Sequence, residues 1–185
     1  MQYKLAIVVS AIALVLAGCG STRPNRNPVG EIFPSVEGTA LSGESWRIPE
    51  DLAGDRAILL IGYKQDSQFD IDRWLIAFAM VGVSTRVLEL PTIEGLAPGV
   101  FSGQIDSGMR SGIPQPVWEA VVTIYGDAPA VLDFTGNTDP LNARVLVLDE
   151  TGHVVWFHDR GFSVLDLEEI LEHVDTDGPG LAIER

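Results

Sequence analysis

Residues 57–90 read AILLIGYKQDSQFDIDRWLIAFAMVGVSTRVLEL. Positions 57–61 form an unbroken apolar run that ends in Gly62 and Tyr63, the pattern of a strand covered on both faces. Ser67-Gln68-Phe69-Asp70 is an S-x-x-D capping pattern, and Ile71, Trp74, Leu75 and Phe78 recur at helical spacing, which predicts a helix up to Met80. Residues 85–90 are a second β-rich piece stopped by Pro91. Strand, helix, strand is a βαβ unit, and such units set their strands parallel with a right-handed crossover. The strand at 57–63 is therefore expected at the centre of the sheet.

Working outward, residues 33–36 and 46–48 flank Gly38 and Gly43 and predict a small N-terminal hairpin; residues 49–54 suit one turn of helix. Residues 91–119 form a Gly/Pro-rich insertion with a short helix expected over 98–109, followed by a strand over 120–125 that Gly126-Asp127 breaks. Residues 144–148 and 154–157 bracket Asp149-Glu150-Thr151-Gly152-His153 and read as an antiparallel hairpin. Ser163-Val164-Leu165-Asp166 is a second S-x-x-D cap, predicting a helix to Val174 with Val164, Leu167, Leu171 and Val174 on one face. The tail at 175–185 is acidic and expected to fray.

With 185 residues, one domain and a true core are expected. The chain carries 12 Lys and Arg against 26 Asp and Glu, a net charge of -14, which argues against wrapping nucleic acid. The single cysteine, Cys19, leaves no internal disulfide and no thiolate metal cluster. Lys4 precedes an apolar run of 12 residues from Leu5 to Leu16 that is broken only by Ser10. That run is shorter than the ~20 residues a bilayer requires and reads as a signal-peptide core. It closes in Leu16-Ala17-Gly18-Cys19, which resembles a bacterial lipobox, so residues 1–18 are expected to be cleaved and Cys19 lipidated. Since residue 20 is Gly rather than Asp, the resemblance implies the outer membrane, facing the periplasm, in a Gram-negative cell. Residues 19–31 are polar and Pro/Gly-rich and read as a flexible tether, with the domain at 32–174.

The element order, together with Phe33-Pro34, Gly43, Leu52 and Gly54 before the strand and Asp149, Gly152, Val154 and Val155 in the hairpin, resembles the thioredoxin-like proteins of the bacterial envelope. The likeness spans about residues 33–174. It implies an α/β fold: a central mixed sheet flanked by helices, with an N-terminal hairpin and the insertion. Val145 to Asp149, then Gly152 and Trp156, resemble a D-x-x-G-x-x-x-W pattern of the ATP10-like set, named for a mitochondrial assembly factor of ATP synthase. That further resemblance implies an assembly or partner-binding module without redox chemistry, and the lipobox-like segment at Leu16 to Cys19 is expected to anchor it to the membrane.

In thioredoxin-like enzymes a C-x-x-C follows the central strand and opens the next helix. Laid on this sequence, the pattern falls on Ser67 and Asp70, so thiol redox activity is not expected. Both residues are expected to cap the helix. The cis-proline of those enzymes would fall on Ala143, with Pro140 three residues earlier. Asp66, Asp70 and Asp72 do not share a helix face, and the three histidines have no metal-binding spacing, so neither cofactor nor metal is expected. Lys64 lies just past the central strand, where ligand sites of α/β sheets collect. Residues 101–114 (FSGQIDSGMRSGIP) have the composition of a contact loop. Candidate binding residues are Lys64, Asp66, Phe101, Met109, Arg110 and His158. The alternative is an enzyme or small-ligand binder that gathers Lys64, Asp66, Arg110 and His158 in a polar cleft.

Overall fold

The computed structural model describes residues 22–95 and 102–177. Its centre is β3 (Ala57–Gly62), every residue of which is buried. Alternation along the strand sends Leu59 and Ile61 to one core and Ile58 and Leu60 to the other, as the two-residue period of a strand requires. Burying each such side chain contributes roughly 1.5–3 kcal/mol, which fixes this strand in the middle of the molecule.

The βαβ unit is as expected. Helix α1 (Gln68–Val81) ends at Gly82, whose φ of 73° supplies the left-handed turn that closes a helix. It leads into β4 (Arg86–Pro91), parallel to β3 from the Ala57/Arg86 pair to Gly62/Pro91. Strands β6 (Arg144–Leu148) and β7 (Val154–His158) form the antiparallel hairpin, with β6 antiparallel to β3 on its other side. The four-stranded sheet is mixed, ordered β4-β3-β6-β7. The hairpin turn explains two residues of the resemblance: Asp149 Oδ1 accepts the amides of Thr151 and His153, both at 2.9 Å, and Gly152 turns at φ 84° against Pro49.

A second sheet, ordered β2-β1-β5, is built from the N-terminal hairpin, β1 (Val36–Ala40) with β2 (Ser45–Ile48), and from β5 (Val122–Thr123). One core lies between the sheets around Phe33, Ile48 and Val122; the other lies under α1, centred on Trp74 and Phe78 with Ile170 of α4 (Val164–Ile170).

Several expectations are corrected. The insertion helix is α2 (Ser102–Gly112); Phe101 and residues 98–100 lie outside the described residues. The strand expected over 120–125 is Val122–Thr123, flanked by single parallel bridges from Val121 to Glu89 and from Ile124 to Thr92, while Ala120 ends a 3-10 helix, Gln115–Ala120. Helix α3 (Ala128–Thr135) follows Asp127 where no helix was expected. Helix α4 stops at Ile170, short of Val174. Residues 175–177, expected to fray, pair with 82–85: Ser84 donates to Asp175 O at 2.9 Å and Asp177 to Gly82 O at 2.8 Å.

The largest correction concerns the tether. Residues 22–33 lie along the domain as a docked strap. Arg23 and Asn137 exchange two bonds, Arg23 N to Asn137 Oδ1 at 2.6 Å and Asn137 N to Arg23 O at 3.0 Å. Gly30 N donates to Val154 O at 2.8 Å, Val154 N to Glu31 O at 2.9 Å and Phe33 N to Gly152 O at 2.9 Å. Polar composition suits a flexible linker, but here the polar groups find partners on the domain. Residues 1–21, with Cys19, and 178–185 lie outside the described residues.

Candidate functional site

The C-terminal end of β3 delivers the chain to Lys64, whose extended backbone starts a 3-10 turn, Gln65–Ser67, directly before α1. Ser67 is 1% exposed. Its Oγ donates to Lys64 O at 2.6 Å and makes no cap to α1. Gly62 permits this packing, since a Cβ there would lie 2.7 Å from Ser67 Oγ. The capping role expected of Ser67 is therefore not realised, and the hydroxyl closes the 3-10 turn instead.

Asp70 does not cap the helix either. It is 5% exposed, one turn above Trp74, and its two oxygens reach across the domain. Oδ2 accepts the amide of Ala143 at 2.9 Å, and Oδ1 accepts the amide of Phe162 at 2.8 Å. Gly161 turns the last loop at φ 85°, in the left-handed region that favours glycine. One carboxylate thus joins the start of α1, the segment before β6 and the segment after β7. Charge-assisted bonds of this kind are roughly twice as strong as neutral ones.

Beside this latch lies a buried cation. Arg144 has no exposed surface, and its guanidinium stands 5.6 Å from the centre of the Tyr63 ring. Nε donates to Gly136 O at 3.2 Å, Nη1 to Asp139 O at 2.7 Å and Asn142 O at 2.8 Å, and Nη2 to Asn25 Oδ1 at 3.0 Å. Desolvation pulls its pKa below the ordinary arginine value, offset in part by Tyr63, Asp159 and Asp139. Burial pushes the Tyr63 phenol up to about 12, against the bond from Thr135. Asn25 also donates to Asp159 Oδ2 at 2.9 Å and accepts from Thr138 N at 2.8 Å, so the strap completes the shell around Arg144.

His158 is 4% exposed, not at a solvated strand end. Its Nδ1 lies 3.0 Å from Asp166 Oδ1 and its Nε2 2.7 Å from Gly161 O. The ring stacks on Trp156 at 5.8 Å and meets Trp74 edge-on at 5.7 Å. With both nitrogens occupied it offers none to a ligand. Asp166 also accepts from the hydroxyl of Ser163, which in turn accepts Asp166 N at 3.2 Å, so the second S-x-x-D cap forms as expected.

The other expected residues disperse. Arg110 donates to Leu41 O at 2.7 Å and lies over Trp118 at 5.8 Å, which ties α2 to the hairpin turn. Met109 is half-buried on the same helix, and Lys64 and Asp66 are both exposed just past the end of β3. A groove of about 570 Å³ lies elsewhere, over Glu37, Ser45, Arg47, Thr123 and Tyr125, and contains none of the expected residues. No group of three metal-ligating side chains occurs among the described residues, and no described helix is long and apolar enough to cross a membrane.

Sequence reasoning missed the exposed apolar side chains carried by the three segments that the latch joins. Phe69, Leu141, Val164 and Leu165 are 68%, 56%, 58% and 77% exposed. Each is within three positions of a residue bonded through Asp70. Isolated exposed apolar residues are common, whereas grouped ones mark contact surfaces.

No sequence family and no curated protein matches the chain. Solved structures do. The exposed lipoprotein thioredoxin Etrx1 of Streptococcus pneumoniae is 15% identical, with a TM-score of 0.51 over 75% of this chain and 99% of that one. Yeast Sco1 is 12% identical, with a TM-score of 0.54 over 77% and 93%. A protein from Aquifex aeolicus described as a putative electron transfer protein is 15% identical, with a TM-score of 0.53 over 77% and 92%. At these identities the likeness establishes the fold, which is thioredoxin-like.

Proposed function

From the thioredoxin-like fold as premise, we propose that this chain is a lipid-anchored module of the cell envelope that binds a protein partner or assists assembly, without thiol chemistry. The observation that carries the reading is Asp70 at the place of the second cysteine, bonded to Ala143 and Phe162, with the exposed Phe69, Leu141, Val164 and Leu165 on the three segments it joins. In this register the residues that would exchange disulfides are a hydroxyl and a carboxylate. The carboxylate holds three loops in one arrangement, and a preformed surface loses little entropy when a partner covers it. The lipobox-like Leu16 to Cys19 supports anchoring, with the outer membrane facing the periplasm as the proposed location. The D-x-x-G-x-x-x-W pattern supports an assembly role of the ATP10-like kind. Against the enzyme alternative, Arg110 is committed to Leu41 O and His158 is buried with both nitrogens engaged.

The test uses the full chain in cells. A photo-crosslinker at Leu141 or Leu165 is expected to capture a discrete protein adduct, and Phe69→Asp is expected to reduce its yield while leaving the melting temperature within a few degrees, since exposed substitutions cost under about 0.5 kcal/mol. Absence of an adduct at either position overturns the partner role. Cys19→Ser is expected to release the protein from membranes or leave the precursor uncut; unchanged fractionation and processing overturn the anchor.

A further inference from the structure

We infer that the strap holds the Asp70 end of the domain turned toward the bilayer and beside the headgroup layer, so that a partner covering this end meets it next to the lipid; this rests on the lipid anchor and the partner surface proposed above. The argument is one of reach. Cys19 and Thr22 are three positions apart, with only Gly20 and Ser21 between them, and at most ~3.6 Å per residue gives a span of about 11 Å. The strap is docked from the next residue onward. Arg23 is bonded through its backbone to Asn137 and through its guanidinium to Glu94, at 2.8 Å, and to Asp133. The loop at 136–141 therefore lies within a short fixed distance of the lipidated residue, where a free tether of residues 19–31 would have allowed tens of ångströms.

The direction of the domain follows from the same contacts. Asn25 holds Asp159, and Asp159 O accepts from Asn142 Nδ2 at 3.3 Å, next to the loop that Asp70 latches. Leu141 in that loop is 56% exposed. Ile61, near the end of β3, pairs with Arg144, and Ala57 at its start pairs with Leu148. Asp55 accordingly lies at the opposite end, about 20 Å away at ~3.3 Å per strand residue. Arg23 sits between Glu94 and Asp133 and offsets the acidic charge that this end would otherwise turn toward phosphate headgroups.

The experiment uses the full lipidated chain in phosphatidylethanolamine/phosphatidylglycerol vesicles containing a lipid with a headgroup-attached nitroxide quencher. A fluorophore is attached at Leu141→Cys or at Asp55→Cys, Cys19 being blocked by its lipid. Strong quenching is expected at position 141 and little at 55. An insertion of about 15 Gly/Ser residues between Gly20 and Ser21, with an r.m.s. reach of roughly 20 Å, is expected to abolish the difference. Equal quenching at the two positions, or a difference that survives the insertion, overturns the inference while leaving the anchor intact. An N-terminal peptide whose mass shows no lipid on Cys19 overturns the anchor and the inference together.

Discussion

Asp70 and Ala143 are 73 positions apart in the chain, yet the carboxylate of one accepts the amide of the other at 2.9 Å. The same side chain takes the amide of Phe162 at 2.8 Å, 92 positions away. Asp70→Asn offers one acceptor oxygen and an NH₂ group facing an N–H, so at least one buried amide is left unsatisfied. A loss of about 2–4 kcal/mol is expected, read as a fall in melting temperature of roughly 5–15 °C for a domain of this size. A melt unchanged by Asp70→Asn would remove the latch from the account.

Glu89 on β4 is 7% exposed, and among the described residues its carboxylate accepts from the amide of Gln68, at 3.4 Å. Burial raises its pKa to about 6. A folded-state value above the unfolded one means that the native state holds the proton longer. The contribution of this group is therefore fully present below the unfolded pKa of about 4.5 and is lost as pH rises through 6. The loss is about 2 kcal/mol. Glu89→Gln keeps the neutral shape, so urea titrations from pH 4 to pH 8 should show the variant gaining on the native chain between pH 4.5 and 6.5 and level thereafter.

The docked strap makes Asn25→Ala informative. Three bonds disappear, to Arg144, Asp159 and Thr138, which lowers the opening cost by about 1–3 kcal/mol. Trypsin cleavage after Arg26 should then accelerate roughly tenfold or more where opening precedes cutting. Gly136→Ala should act in the same direction. Its φ is 74°, and the added Cβ would lie 2.2 Å from Pro24 O, so the strap must lift.

Arg110→Ala separates a structural role from a recognition role. The side chain spans from α2 to Leu41 O and covers Trp118. Its removal should lower stability by about 1–2 kcal/mol and leave crosslinking from Leu165 unchanged. Reduced crosslinking at unchanged stability would return Arg110 to the contact surface.

What was legible in the sequence was the pattern of apolar residues within each segment. An unbroken apolar run at 57–61, helical spacing over 68–81 and a β-rich piece at 86–91 together identified the βαβ unit. Asp149 and Gly152 identified a tight hairpin because a carboxylate and a left-handed glycine have a local use there. Helix α3 escaped because Gly126 and Pro129 look like breakers, although Pro129 at a first-turn position and Val131, Leu132 and Phe134 were a readable signal. The site escaped for a different reason. Ser67-x-x-Asp70 satisfies a local rule, and nothing local announces that Asp70 instead serves two amides from distant loops. The strap escaped because composition alone does not distinguish polar groups bound to water from those bound to Arg144 and Asn137.

Strand β7 is last in its sheet, and the amide and carbonyl of Val154 are taken by Glu31 O and Gly30 N. The strap therefore serves as a selvedge as well as a mooring. A protease that trims the chain back to Phe33 would bare backbone donors and acceptors at that margin, the usual template for unwanted strand pairing. Shortened forms of this protein are expected to self-associate at concentrations where the full strap keeps them apart.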